Sequence, residues 1–372
     1  MKLRPVVLAA ALLVATPAVA SPPQVGGRAY YVQSGTTGQV LLARNARQRL
    51  PIASITKLMT VLVALERVRP DDVVAVSRSA ASVGESTIDL RRGERLTVRE
   101  LVEAALIQSA NDAATALAEH VGGGDVEAFV ALMNGKARRL GLTDTHFVNP
   151  DGLDAPGHYS SARDVTKLAR VAMHDPLIRQ VVRKTEERIS GGRVLRTWND
   201  LLSTFPGLLG VKTGHTSKAG WSQVAAVRGR GVTVYATLLG EPSRAARNAD
   251  LAELLAWGIS RYGVLPVVDA GRVYATARAP YGRRALALVA QRGLVRLVRV
   301  DRPLVEEVVA RAAVSLPVRR GQRLGEVRVY DRGQLIASAP LVAERAIARP
   351  GLFGRVGWYT ERMFDRVWDW IS

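Results

Sequence analysis

The sequence predicts an α/β protein: a first domain with a central antiparallel sheet flanked by helices, then a small β-rich domain and a terminal amphipathic helix. Three observations predict it. Two short segments between Ala29 and Leu42 surround Ser34-Gly35-Thr36-Thr37-Gly38 and read as a hairpin. The following stretch is mainly helical in pattern, around residues 99–119, 125–139 and 162–174. The strand signal then returns, where Gly220–Val227 and Val232–Leu239 flank the tight loop Arg228-Gly229-Arg230-Gly231. Strands at both ends of one domain place the intervening helices against a shared sheet rather than in a separate bundle.

The ends of the chain carry their own signals. Met1-Lys2-Leu3-Arg4 is basic, Val6 to Val14 is apolar, and Ala18-Val19-Ala20 supplies small residues before Ser21, the pattern of a secretory signal peptide (residues 1–20) cleaved after Ala20. Residues 21–262 form the first domain, with a helix from Ala245 to Ile259 completing it and Arg261-Tyr262-Gly263 marking the boundary. Residues 263–349 contain short strand-like runs at Arg272–Ala277, Ala285–Val289, Val295–Val300, Glu326–Tyr330 and Gln334–Ser338, and no chemical cluster accompanies them. They read as a spacer or interaction domain. The tail, residues 350–372, places Phe353, Val356, Met363, Phe364, Val367 and Ile371 on an approximate helical stripe that includes Thr360. Its interspersed charges make it a poor bilayer span, so it reads as interfacial or as docked on the protein's own core.

Composition limits the chemistry. The 372 residues contain no cysteine, which excludes disulfides, thiol catalysis and cysteine-held zinc. Five histidines remain, without a dense ligand spacing. The formal net charge is +19 and falls to +17 if Lys2 and Arg4 are removed with the leader, which contains no acidic residue. The arginines are spread through the structural elements, so this charge reads either as a dispersed solvated surface or as an anion-attracting patch. Nucleic acid is not an expected partner, because no nucleic-acid module is present.

The chemistry concentrates in three short motifs. Ser54-Ile55-Thr56-Lys57 precedes the apolar run Leu58–Leu65, which puts a hydroxyl and an amine at positions i and i+3 near a buried helix N-terminus. Taken alone, Ser54 is better read as a helix cap and Lys57 as a surface ion-pair partner. Ser109-Ala110-Asn111 follows the apolar stretch Leu101–Ile107 and reads as a short loop between helical segments, and Lys212-Thr213-Gly214 follows Gly207–Val211. Serine-x-x-lysine, serine-x-asparagine and lysine-threonine-glycine in this order are the signature of penicillin-recognising serine enzymes.

With these motifs, and with Met133-Asn134, Leu140–Phe147, Asn149–Asp154 and His215-Thr216, roughly residues 25 to 260 resemble the low-molecular-mass penicillin-binding proteins that act as D-alanyl-D-alanine carboxypeptidases. The resemblance implies a transpeptidase/β-lactamase-like catalytic domain. It implies Ser54 as acylation nucleophile, Lys57 as proton acceptor, Ser109 as proton relay, and Asn111 as a positioning group for substrate and lysine. Lys212, Thr213, Gly214 and His215 would bind substrate, Lys212 also joining the proton network. The backbone N–H groups of Ser54 and His215 would form the oxyanion hole. Asp112 reads as a cap or structural group. No metal or organic cofactor is expected.

The reaction implied is removal of the terminal D-alanine from peptidoglycan stem pentapeptides, with β-lactams as covalent inhibitors of Ser54. An endopeptidase or transpeptidase with the same site is the chemical alternative, and a catalytically weak peptidoglycan-binding envelope scaffold is the non-enzymatic one. The resemblance also implies a periplasmic enzyme held peripherally on the outer face of the cytoplasmic membrane by its tail. Oligomeric state is open. One departure stands out: Thr197-Trp198-Asn199-Asp200-Leu201-Leu202 has threonine where the family commonly has the first of two asparagines.

Overall fold

A computed structural model describes residues 5–12, 21–281 and 283–351. The chain divides between Ser260 and Arg261 into two compact units. The first contains one five-stranded antiparallel sheet in the order Val40–Arg44, Ala29–Ser34, Val232–Glu241, Gly220–Gly229, Leu208–Thr216. The first two strands in sequence therefore join the last three, because the long helical insertion leaves the sheet and returns to it.

Helices cover both faces of this sheet. Gly258, on the helix Arg244–Ser260, sits so close to the strands that a Cβ there would meet Val234 Cγ1 at 2.8 Å. Three residues along the same strand, Thr237 Oγ1 hydrogen-bonds Thr166 Oγ1 at 2.6 Å on the helix Ala162–Ala172. An odd spacing of three along a strand means opposite faces, so the two helices sandwich the sheet. Among the helices lies Lys57–Leu65, with every residue but the last buried. Its apolar surface runs all the way round, as expected of a helix enclosed by others.

The mainly helical region around residues 99–119 divides at Ser109, where a short loop is expected. It runs as an α-helix over Val98–Glu103, opens into a π turn over Ala104–Gln108, and stops at Ser109, whose φ of 68° is left-handed. A new helix starts at Asn111 and ends at Val121. Continuous apolar patterning hides the π turn itself, because the turn keeps the same residues buried while re-aiming the chain.

The second unit has its own core. Its six-stranded antiparallel sheet runs in the order Pro5–Leu12, Leu304–Arg311, Arg323–Asp331, Gln334–Ala343, Leu286–Ala290, Val273–Ala277, and Tyr262–Val268 pairs separately with Leu294–Arg299. Tyr262, which the sequence places at the end of the first domain, pairs with Arg299 and so belongs to the second unit. The strand Leu304–Arg311 is absent from the sequence expectation, since adjacent Glu306 and Glu307 interrupt its apolar run. Glu306 is nevertheless buried, its carboxylate accepting two hydrogen bonds from Arg272 at 3.0 and 3.2 Å.

The apolar core of the expected leader, Pro5–Leu12, lies antiparallel to Leu304–Arg311 in the full chain. The remainder of that leader, residues 1–4 and 13–20, and the tail from residue 352 onward lie outside the described residues. No helix among the described residues is long and apolar enough to cross a membrane.

Candidate active site

The Ser54 motif is not the first turn of the α-helix but a 3-10 turn, Ala53–Thr56, that leads into it at Lys57. Ala53 has a φ of 48°, and the loop at Gly152 presses on it from behind. A Cβ at Gly152 would lie 2.0 Å from the Ala53 carbonyl oxygen, and its φ of 91° is itself a glycine conformation. That loop is fastened from several sides. Thr60 Oγ1 donates to the Pro150 carbonyl (2.5 Å), Asn149 Oδ1 accepts from Gly152 N (2.8 Å), and Asp151 Oδ1 accepts from Leu153 N (2.8 Å). His158 adds a brace: Nδ1 accepts from Val148 N at 3.2 Å, so the proton on Nε2 donates to Thr56 Oγ1 at 2.8 Å. Burial lowers this imidazole to about 4, which keeps the tautomer neutral.

Lys57 is completely buried, and its Nζ has three partners: Ser54 Oγ at 2.8 Å, Asn111 Oδ1 at 2.7 Å and the Asp151 carbonyl at 2.8 Å. Two of these, an amide oxygen and a peptide carbonyl, only accept. A neutral amine must therefore spend both of its N–H bonds on them and aim its lone pair at the Ser54 hydroxyl. Burial pulls the Lys57 ammonium down to about 8, against opposing contributions from Asp151, Asp112 and Glu85.

Asn111 is oriented by its other end, where Nδ2 donates to the Gly84 carbonyl (3.0 Å) and its backbone N–H donates to the Ser86 carbonyl (2.7 Å). Asp112 holds the same loop, its carboxylate accepting from Ile88 N (3.1 Å), Leu90 N (3.0 Å) and Ala113 N (2.9 Å). Burial raises its pKa while these donors lower it. This is a loop anchor, and it touches no group of the cleft in the way Asn111 does.

The third motif approaches along the sheet edge. Lys212, Thr213 and Gly214 lie on Leu208–Thr216, the edge strand, whose outward backbone groups face away from the sheet. A Cβ at Gly214 would come within 2.7 Å of the Ile52 carbonyl oxygen, so only glycine brings strand and nucleophile turn this close. Lys212 Nζ donates to Ser109 Oγ (2.9 Å) and to the Thr213 carbonyl (3.0 Å). Burial first, then the charges of Lys57 and Arg247, hold this amine well below the ordinary lysine range.

Ser54, Ser109, Thr213, Gly214 and His215 line one cleft of about 210 Å³. The structure thus brings together all the predicted site residues, directly or through the Lys57 and Lys212 hydrogen bonds. The His215 ring is stacked on Trp221, centroids 4.1 Å apart. Sequence reasoning missed Arg247, Trp198, Trp221, Glu85 and Ser86, which also line the cleft. Arg247 is 1% exposed, 5.7 Å from the Trp221 ring and 3.4 Å from Asp200, and burial lowers its guanidinium to about 10. Nothing in the sequence separates it from the other arginines of its helix. Thr197 replaces its asparagine without loosening the turn, for its hydroxyl accepts from Asn199 N at 3.2 Å.

A buried lysine sharing hydrogen bonds with a serine hydroxyl, facing a second lysine on a sheet edge, is the arrangement of an acyl-transferring serine enzyme of the penicillin-recognising class. Comparison with known proteins agrees at every level. The profile of the peptidase S11 D-alanyl-D-alanine carboxypeptidases matches residues 16–243. The chain is 34% identical over 363 residues to the D-alanyl-D-alanine carboxypeptidase DacD of Salmonella typhimurium, covering 91% of this chain and 90% of that one. It is 31% identical over 328 residues to DacF of Bacillus subtilis, covering 85% and 84%. Among solved structures it resembles penicillin-binding protein 5 of Haemophilus influenzae (TM-score 0.65, 27% identity, 89% of this chain and 100% of that one). It also resembles the Streptomyces K15 DD-transpeptidase (TM-score 0.61, 31% identity, 65% and 100%). The chain belongs to the D-alanyl-D-alanine carboxypeptidase family, and it is a serine-type D-Ala-D-Ala carboxypeptidase acting on peptidoglycan, with the transpeptidase/β-lactamase-like fold and a smaller β-rich C-terminal domain.

Proposed function

We propose that this enzyme removes the terminal D-alanine from stem pentapeptides through a Ser54 acyl-enzyme. Neutral Lys57 accepts the Ser54 proton as Oγ attacks the carbonyl of the penultimate D-alanine. The negative charge that develops on that oxygen is received by the backbone N–H groups of Ser54 and His215. As the tetrahedral species collapses, the C–N bond breaks and the proton passes to the departing amine through Lys57 and Ser109, with Lys212 holding Ser109 in place. D-Alanine leaves, water adds to the ester by the reverse proton route, and Ser54 is restored.

The terminal carboxylate of the substrate is held by Lys212, Thr213 and the buried guanidinium of Arg247. A β-lactam carries a carboxylate and a strained amide in a similar relation, so it acylates the same hydroxyl. The observation that carries this reading is the Lys57 amine, whose two acceptor-only partners leave its lone pair for Ser54.

The likeness to a DD-transpeptidase supports a second reading, in which an amine replaces water at the acyl-enzyme. The basic leader and the aromatic tail support export, cleavage after Ala20 and peripheral attachment to the outer face of the cytoplasmic membrane. D-Alanine release from a muropeptide pentapeptide by the leader-free protein and by Ser54→Ala tests the main reading. Release by the serine enzyme alone supports it; equal release by both sinks it. Adding a cross-linking amine acceptor to the same assay separates hydrolysis from transfer.

A further inference from the structure

The cleft has a wall that none of the three motifs supplies. Trp198 lines it and keeps 45% of its surface exposed, yet the ring is held from two directions. Its Nε1–H donates to the carbonyl of Gln108 at 3.0 Å, immediately before Ser109. Its ring carries the Arg244 guanidinium at 5.2 Å from the centroid. Arg244 in turn donates from Nε to Asp200 Oδ2 at 2.8 Å, and that same oxygen accepts from Arg247 at 3.4 Å and from Asn248 at 2.7 Å.

These tethers locate the indole. Ser109, on one side, holds Lys212; Arg247, on the other, shares Asp200 with the arginine stacked on the ring. Trp198 therefore bridges the Ser109 turn to the arginine pair, at the cationic end of the cleft. A long flexible side chain there would swing aside for a bulky ligand, whereas a ring tethered at its edge and its face has little freedom to do so. Space is short, since about 210 Å³ lies below the ~300–1,000 Å³ of ordinary small-molecule sites.

We propose that Trp198 is the specificity-determining wall of the leaving-group subsite, restricting the terminal residue to one about the size of D-alanine. This rests on the reading that Lys212 and Arg247 grip the terminal carboxylate. The residue bearing that carboxylate then has its side chain confined between the grip and the indole. A larger D-residue meets the ring, and a smaller one leaves a gap.

The test uses the leader-free enzyme, Trp198→Phe and Trp198→Ala on one donor peptide ending in D-Ala-D-Ala, D-Ala-Gly or D-Ala-D-Leu, with the C-terminal amide of the first as a control. Acylation by benzylpenicillin reports that each variant is folded. The expected result is that Trp198→Ala raises kcat/KM for the D-leucine substrate relative to the D-alanine substrate by about tenfold or more, the scale on which a pocket discriminates a few methylenes. Trp198→Phe, which keeps most of the bulk and loses the tether to Gln108, shifts the ratio less. An unchanged ratio in Trp198→Ala overturns the proposal, as does a proportional loss on every substrate and on benzylpenicillin, which marks the ring as structural. Equal cleavage of the amide and the free acid by the intact enzyme overturns the carboxylate grip itself, and the wall with it. A normal preference for the free acid with an unmoved ratio overturns Trp198 alone.

Discussion

Lys57 Nζ and Asn111 Oδ1 lie 2.7 Å apart in the buried centre of the catalytic unit, 54 residues apart in the chain. An amide oxygen that cannot donate fixes where one lysine proton must go. The same bond ties the nucleophile turn to the loop held by Asp112, so chemistry and loop anchoring meet at one residue.

This relation gives the acylation reaction a pH profile. Protonated Lys57 cannot accept the Ser54 proton, and burial places its pKa at about 8. The apparent acylation rate by a fluorescent penicillin therefore rises with pH from 6 and levels above about 8. Lys57→Ala removes that limb and lowers the rate by about 10²–10⁴-fold, the usual worth of a positioned general base. A flat wild-type profile over this range would contradict the assignment.

Arg247 is expected to act on binding of the terminal carboxylate. Arg247→Gln should lower kcat/KM by roughly 10- to 100-fold on free-acid peptides, the scale of a charge-assisted hydrogen bond. C-terminally amidated peptides should be affected much less. Steady-state kinetics on the paired substrates, with melting temperature as a fold control, decides it.

Asp112→Ala should destabilise the protein rather than simply remove a reacting group. Three backbone N–H groups at Ile88, Leu90 and Ala113 lose a buried acceptor. Unmet buried donors cost about 1–3 kcal/mol each, lessened where water enters the relaxed loop. Urea unfolding should show a lower midpoint, and β-lactam acylation should fall because Asn111 leans on the same loop. Wild-type stability in the variant would refute the anchor.

At the end of the strand Val232–Glu241, the Glu241 and Asp250 carboxylates both lie beside Gly26, and Asp250 Oδ2 accepts from Gly26 N at 2.6 Å. Burial first, then Asp250, pushes the Glu241 carboxyl up to about 7. A raised acid stabilises the fold fully below its unfolded value near 4.5, and the contribution is lost as pH rises through about 7. Amide exchange at Gly26 and Gly27, corrected for intrinsic rates, should accelerate across this window, and Glu241→Gln should flatten the change. Protection independent of pH in the wild type would count against the raised Glu241 carboxyl.

Gly152→Ala should abolish acylation while the rest of the fold persists, since the added methyl collides with the Ala53 carbonyl beside the nucleophile. Circular dichroism and penicillin labelling separate the two effects. Normal labelling would mean the turn yields more easily than its packing indicates.

Much of the fold was legible because burial imposes periodicity on each segment. The hairpin Ala29–Arg44, the returning strands and the helix Arg244–Ser260 all carry patterns that read locally. The strand Leu304–Arg311 did not, for Glu306 looks like a solvent residue until Arg272 is found beside it. The short loop at Ser109 and Asn111 was legible between helical segments, whereas the π turn before it and the left-handed backbone of Ser109 were not.

By itself the sequence determined the chemical class, because a serine, two lysines and an asparagine in three spaced motifs have to serve one reaction. It also indicated an α/β unit followed by a strand-rich unit, with the boundary read at Arg261-Tyr262-Gly263 from the change of helical to strand pattern. Only the tertiary structure decided which way the Lys57 lone pair points, since that depends on the Asp151 carbonyl, a group every residue possesses. It alone singled out Arg247 and Trp198, whose meaning comes from burial and from partners on other elements rather than from their neighbours in the chain. Local pattern records which face of a segment is buried, whereas proton affinity and cleft shape arise from what the rest of the molecule brings against it.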